Sequence, residues 1–170
     1  AVWKKPSGVQ LVSRFLTPIT LTTDYAVDYV EQHSGAYVDE PYIQAERSGQ
    51  DVNYVVVLYP LDNGQPAPTI TPLAVAGTDA GLIQDGADGS RVCVQMQHAQ
   101  AAPQRLTVEK MTTDAAASLY KESQTGSLAY LAYVRGTEFT YDGVAYVQSD
   151  GAASGVLSLN PLASGYTLTL

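Results

Sequence analysis

Apolar and polar residues alternate most regularly from Ser127 to Ser149, SLAYLAYVRGTEFTYDGVAYVQS. Alternation of this kind marks strands whose successive side chains point to opposite faces of a sheet. Asp142-Gly143 is a strong two-residue hairpin signal, because a type I′ turn needs positive φ at both central positions. Arg135-Gly136 is a weaker signal of the same type. Two such turns predict a three-stranded meander with Val134 opposite Thr137, Tyr141 opposite Val144 and Phe139 opposite Tyr146. One face then collects Leu128, Tyr130, Ala132, Val134, Phe139, Tyr141, Val144 and Tyr146, and is predicted to face the core. The other collects Ala129, Leu131, Tyr133, Glu138, Thr140, Ala145 and Val147. That mixed face is either covered by the chain itself or offered to another subunit. Leu131, Tyr133 and Val147 are its candidate contact residues.

Similar patterns place further strands. Val9–Thr23 holds two pieces, VQLVSRFL and ITLTT, around Pro18. Thr23–Glu46 predicts a strand, a turn at Ser34-Gly35 and a second strand from Ala36. Asp51–Pro60 (DVNYVVVLYP) is an unbroken apolar run, as in a central strand covered on both faces. Leu61–Pro72 (LDNGQPAPTITP) reads as an extended loop held by three prolines. A short strand follows at Leu73–Ala76, then an Asp- and Gly-rich loop over Thr78–Ser90. Arg91–His98 and Arg105–Met111 read as a pair of strands. Thr112–Ser123 (TTDAAASLYKES) is the one helix prediction, capped by Thr113 or Asp114 and favoured by its alanines. After Ser149, DGAASG reads as a flexible turn, and Val156–Leu159 and Tyr166–Leu170 as closing strands. Strands separated by turns, with one short helix, predict an all-β, single-domain antiparallel β-sandwich or β-barrel spanning 9–170. Residues 1–8, AVWKKPSG, are predicted to form an N-terminal arm.

Composition narrows the function. The 170 residues are 45% hydrophobic and 15% charged, which suits a packed core and not a disordered chain. A formal net charge of -8 argues against binding phosphate backbones through basic clusters, so no sequence-specific nucleic-acid partner is expected. No apolar run approaches the roughly 18 residues of a membrane span, and no signal-peptide pattern is visible. A single cysteine, Cys93, excludes an intrachain disulfide and fits synthesis in a reducing cytosol.

Candidate chemistry is sparse. Cys93 lies in an alternating strand pattern and reads as a small buried hydrophobe. His33 and His98, the only histidines, are too few for a zinc site. Asp79, Asp85 and Asp88 bind calcium only if a loop gathers them, and their spacing is not that of an EF-hand. No nucleophile elbow, phosphate loop, dinucleotide glycine pattern or zinc helix is present. No catalytic residue, cofactor or metal ligand is therefore assigned, and the chain is expected not to be an enzyme. The twelve tyrosines allow a carbohydrate- or ligand-binding β-sandwich, provided several line up on one exposed face.

The Thr/Ala/Gly/Tyr-rich strands, the meander LAYLAYVRGTEFTYDGVAYVQS, the arm AVWKKPSG and the lack of cysteine pairing resemble structural proteins of tailed-bacteriophage virions. The resemblance implies a non-enzymatic decoration, tail-tube, connector or baseplate-type subunit. It also implies location in the virion, no cofactor, and contacts with itself or other virion proteins as a homo-oligomer. Trp3, Lys4 and Lys5 of the arm and the proline-rich loop would then join Leu131, Tyr133 and Val147 as contact candidates.

Overall fold

The structure, a computed structural model, describes residues 2–4, 8–30, 36–49, 54–98, 104–159, 161–162 and 165–166. For 3–4, 23–30, 36–43, 161–162 and 165–166 it describes the backbone only. By contact the chain groups into two compact units: Ala1–Thr17 with Asn53–Leu170, and Pro18–Val52.

The described residues are all β. The strands are β1 (Val2–Lys4), β2 (Gln10–Phe15), β3 (Thr20–Val30), β4 (Ala36–Glu46), β5 (Val56–Leu61), β6 (Thr69–Val75), β7 (Thr78–Gln84) and β8 (Arg91–Gln97). They continue with β9 (Leu106–Val108), β10 (Met111–Thr113), β11 (Ala117–Glu122), β12 (Leu128–Tyr141), β13 (Val144–Ser158), β14 (Pro161–Leu162) and β15 (Gly165–Tyr166). All pairings are antiparallel. The smaller unit is the β3–β4 hairpin, paired from Thr20 and Glu46 to Val30 and Ala36, as the alternation over Thr23–Glu46 predicts. In the larger unit β1-β2-β5 form one sheet. A second sheet runs β6-β7-β8-β11-β12-β10-β9, with β13 on the other side of β12, and is nearly closed and barrel-like.

The long strand β12 organises this sheet. Its first half pairs with β11 and its second half with β10, so one strand serves both walls of the core. Between the walls lie Cys93, Val108, Met111, Tyr120, Leu131 and Phe139, each at most 1% exposed. The outer face of β7 is also covered. A Cβ on Gly81 would sit 2.5 Å from Leu16 Cδ2, so the missing side chain is the seat for Leu16.

Several expectations are corrected. The helix over Thr112–Ser123 is absent, and the segment forms β10 and β11 instead. β11 is flanked by β8 and β12, and Ser118, Tyr120 and Glu122 alternate inward against Ala117, Leu119 and Lys121. Two neighbouring ladders outweigh the helix propensity of three alanines. Asp114, one of the two expected caps, instead accepts the backbone N–H groups of Thr137 and Glu138.

The turn at Arg135-Gly136 is also absent. β12 runs through it with irregular register, Arg135 at φ 54° and Gly136 packed on Ala115. The Asp142-Gly143 hairpin is present, with φ 48° and 80° and Tyr141 opposite Val144. Phe139 faces Val147 and not Tyr146, because a bulge intervenes.

These irregularities exchange the faces of the meander over part of its length. Leu131 and Tyr133 point into the core, while Val134 is 47% exposed; Phe139 and Tyr141 keep the inward direction expected of them. A one-residue register shift moves a whole run of side chains to the other face.

Finally, Asp51–Pro60 is not a central strand. Val56–Pro60 of it lies in β5, an edge strand with Val56 and Leu58 exposed. Strand structure also extends into two expected loops: β6 contains Pro72, and β7 occupies Thr78–Gln84. DGAASG lies within β13.

Candidate functional site

The inner face of β11 carries a buried carboxylate of the core. Glu122 is 1% exposed. Its Oε1 accepts hydrogen bonds from Lys110 Nζ at 2.7 Å and the Tyr141 hydroxyl at 2.5 Å. Arg91 Nη1 lies 3.4 Å from its Oε2, and Arg91 Nη2 also reaches Glu109 at 3.6 Å. Burial pushes the Glu122 carboxyl up, but the Lys110 and Tyr141 hydrogen bonds and the Lys110 and Arg91 charges overcome it and hold the carboxyl below its ordinary range. Burial, then the Glu122 hydrogen bond, pushes the Tyr141 hydroxyl up to about 12. The carboxylate stays ionised and fully engaged. Its chemistry is that of a clamp, tying the β9–β10 turn to β8 and β11.

The other titratable candidates are likewise engaged. Cys93 is fully buried, and burial pushes its thiol up to about 12, so it is not a nucleophile at neutral pH. Asp79 is buried, accepts a hydrogen bond from Thr17 Oγ1 at 2.8 Å and lies 3.3 Å from His98 Nε2. Asp85 accepts the Ala87 and Asp88 N–H groups and the Tyr59 hydroxyl, while Asp88 accepts Ser90 N–H at 2.7 Å. Asp85 and Asp88 thus order one turn, while Asp79 serves a strand contact elsewhere. Among the described residues no three His, Cys, Asp or Glu side chains gather as a metal site would.

The outer face of the same sheet differs in kind. Val94 lies opposite Leu119, Leu119 opposite Ala132, and Ala132 opposite Val156. Residues paired in register share a face, so these four form a straight apolar row across β8, β11, β12 and β13. A second row, Met96–Ala117–Val134, runs beside it. The rows become more exposed toward one side, where Val134 is 47% and Val156 44% exposed. Lys121 and Ser158 flank them in the next row, through Tyr130.

The structure places the sequence candidates elsewhere. Leu131 and Tyr133 belong to the core, and Val147 packs against it. Trp3 and Lys4 lie on β1, whose backbone pairs with β2 at Leu11 and Gln10, so this part of the arm is a sheet strand. Lys5, His33 and the Ser34-Gly35 turn lie outside the described residues. Much of the proline-rich loop is exposed, as expected of a connector. Tyrosines do not form an exposed row among the described side chains: Tyr120, Tyr133 and Tyr141 are buried, and Tyr54 is the exposed one. The apolar rows escaped sequence reasoning because their parity depends on the irregularities in β12. The available signal was the alternation of Val92, Val94 and Met96 with Cys93, Gln95 and Gln97. It reveals two faces without saying which is inside.

No protein-family model matches the chain, and no curated protein is significantly similar to it.

Proposed function

We propose that this chain is a non-enzymatic assembly subunit of the tailed-phage virion type, which works through protein–protein contacts in a homo-oligomer or with other virion proteins. The observation that carries the proposal is the pair of apolar rows on the outer face of β8, β11, β12 and β13. Contiguous apolar surface on an otherwise acidic protein is unfavourable in water and is relieved by a partner. The strongest buried polar cluster is a closed clamp, which suits a scaffold better than a reaction centre. Scarce lysine and arginine support protein partners over nucleic acid.

Light scattering across a wide concentration range tests the proposal. The expected result is a defined oligomer, or growth with concentration, that Val134→Lys reduces while leaving the circular dichroism spectrum unchanged. A strict monomer at all concentrations overturns self-assembly.

A further inference from the structure

We infer that the cavity between β5, the loop over residues 62–68 and the β7–β8 turn is a binding site for a guanidinium group on an apolar stem, as at the end of an arginine side chain. This site goes beyond the assembly proposal and does not rest on it. The cavity has a volume of about 240 Å³. That is below the roughly 300–1,000 Å³ of pockets for drug-sized ligands, so it suits one side chain or a small ion. Tyr59, Pro60 and Leu61 of β5, Pro66 of the loop, and Asp85 and Ala87 of the turn line it.

The walls are tied together before any ligand arrives. In the loop, the Gln65 N–H donates to the Asp62 carbonyl at 3.1 Å, and Gln65 Oε1 accepts the Asp62 N–H at 2.9 Å. In the turn, the Asp85 N–H donates to the Ser90 carbonyl at 2.8 Å, and the Gly89 N–H to the Asp85 carbonyl at 3.1 Å. Loop and turn meet at Gly86, where a Cβ would stand 2.5 Å from the Ala67 carbonyl oxygen and 2.9 Å from that of Pro66. The Tyr59 hydroxyl donates to Asp85 Oδ2 and joins β5 to the turn. Walls held in this way lose little freedom on binding.

The open chemistry of the cavity is that of an anion. Asp85 Oδ1 accepts the Ala87 N–H at 2.6 Å and the Asp88 N–H at 3.0 Å, and Oδ2 accepts the Tyr59 hydroxyl. A carboxylate offers about four acceptor positions, so one on Oδ2 remains. Tyr59 spends its proton on Asp85, which leaves its oxygen as a second acceptor beside the first. The Tyr59 hydrogen bond, then the Asp88 and Ala87 N–H groups, hold the Asp85 carboxyl below its ordinary range, so it is charged at neutral pH. Glu109, Glu122 and Glu138 each meet a lysine or arginine. Among the described residues Asp85 forms no such pair, and Lys121 acts on it from longer range.

Two adjacent acceptors, one of them charged, select a ligand that donates twice and is positive. The planar fork of a guanidinium matches that pair, whereas an ammonium is a compact point charge. A phosphate or carboxylate is repelled, and a sugar hydroxyl leaves the charge uncompensated. Pro60, Leu61 and Pro66 offer apolar cover for the stem, and the Tyr59 ring suits the face of the cation.

The test is NMR of the full chain at fixed ionic strength, following the backbone amides of Ala87 and Asp88. The probes are ethylguanidinium, the peptide acetyl-Gly-Arg-Gly-amide, and the same peptide with neutral citrulline in place of arginine. The expected result is a saturable shift of both amides with the arginine peptide. Binding is expected to weaken about tenfold or more with the citrulline peptide or with Asp85→Asn. Ala87→Phe fills the cavity from an exposed position and is expected to give the same loss, which covers the case in which Asp85→Asn disturbs the turn. Saturation by the arginine peptide supports the site and assigns it to a partner protein's side chain. Saturation by ethylguanidinium alone supports the site and assigns it to a free small cation. Equal binding of the arginine and citrulline peptides, or no saturable shift with either cation, overturns the inference. Light scattering tests the assembly proposal separately, so the two can fail independently.

Discussion

The Asp114 carboxylate holds the irregular centre of β12, with its Oδ1 2.8 Å from the Thr137 amide nitrogen and its Oδ2 2.5 Å from the Thr137 hydroxyl. The Glu138 amide donates to the same Oδ1 at 3.0 Å. A side chain from the β10–β11 connection thus supplies acceptors where the β12–β13 ladder is broken. Burial pushes this carboxyl up, and the Thr137 and Glu138 hydrogen bonds more than reverse it, leaving it below its ordinary range. Asp114→Ala strands two backbone donors and is expected to cost about 1–3 kcal/mol. A lower urea midpoint with an unchanged slope is the expected signature; an unchanged midpoint removes Asp114 from this role.

Lys110 and Glu122 give a second test. Removing the lysine leaves a carboxylate 1% exposed with Arg91 as its remaining cation. Lys110→Met is expected to destabilise by up to about 3–5 kcal/mol, the range for breaking a buried pair. Lys110→Met with Glu122→Leu is expected to recover part of the loss, because no buried charge is then orphaned. A double variant no more stable than Lys110→Met contradicts that account.

The same cluster sets the pH dependence of stability. Glu122 has a lowered pKa in the fold, so its contribution is present above the unfolded value of 4.5 and is lost as pH falls through the folded value. The Glu122 hydrogen bond raises the Lys110 pKa, so this contribution is present below the unfolded value of 10.5 and is lost as pH rises through the folded one. Tyr141, raised from 10.0 to about 12, acts in the same alkaline direction. Thermal melts should therefore show a broad neutral plateau with losses at both ends. Lys110→Met should flatten the alkaline loss; an unaltered alkaline limb counts against the clamp.

Two glycines make close approaches of different kinds. A Cβ on Gly136 would meet Ala115 Cβ at 2.8 Å and its Cα at 3.0 Å, so backbone must move. A Cβ on Gly81 would meet only the end of the Leu16 side chain. Both alanine variants overpack the interior, at about 1–3 kcal/mol. Gly136→Ala is expected to be the costlier, and the reverse order in chemical denaturation contradicts the packing described for β12.

The face assignment of β12 is tested by paired truncations. Leu131→Ala opens a cavity in the core and is expected to cost about 2–5 kcal/mol. Val134→Ser changes an exposed position and is expected to stay within about 0.5 kcal/mol. Meander faces in the arrangement that two tight turns predict would give the opposite ranking.

The sequence by itself determined the β class, the antiparallel pairing and the hairpin at Asp142-Gly143. Period-two alternation and turn chemistry are local, so a single chain displays them. It also determined that Cys93 is interior, because a small apolar residue in such a pattern has few other places to go. Tertiary structure decided whether Ala117–Glu122 belong to a helix or a strand, since that depends on β8 and β12 standing on either side. It decided which face of Ala129–Val134 is buried, since parity passes through irregularities held by Asp114, twenty or more residues away. The apolar outer rows follow from that parity. They are legible only after each strand has found its neighbours, because a side chain's burial is a property of what packs against it.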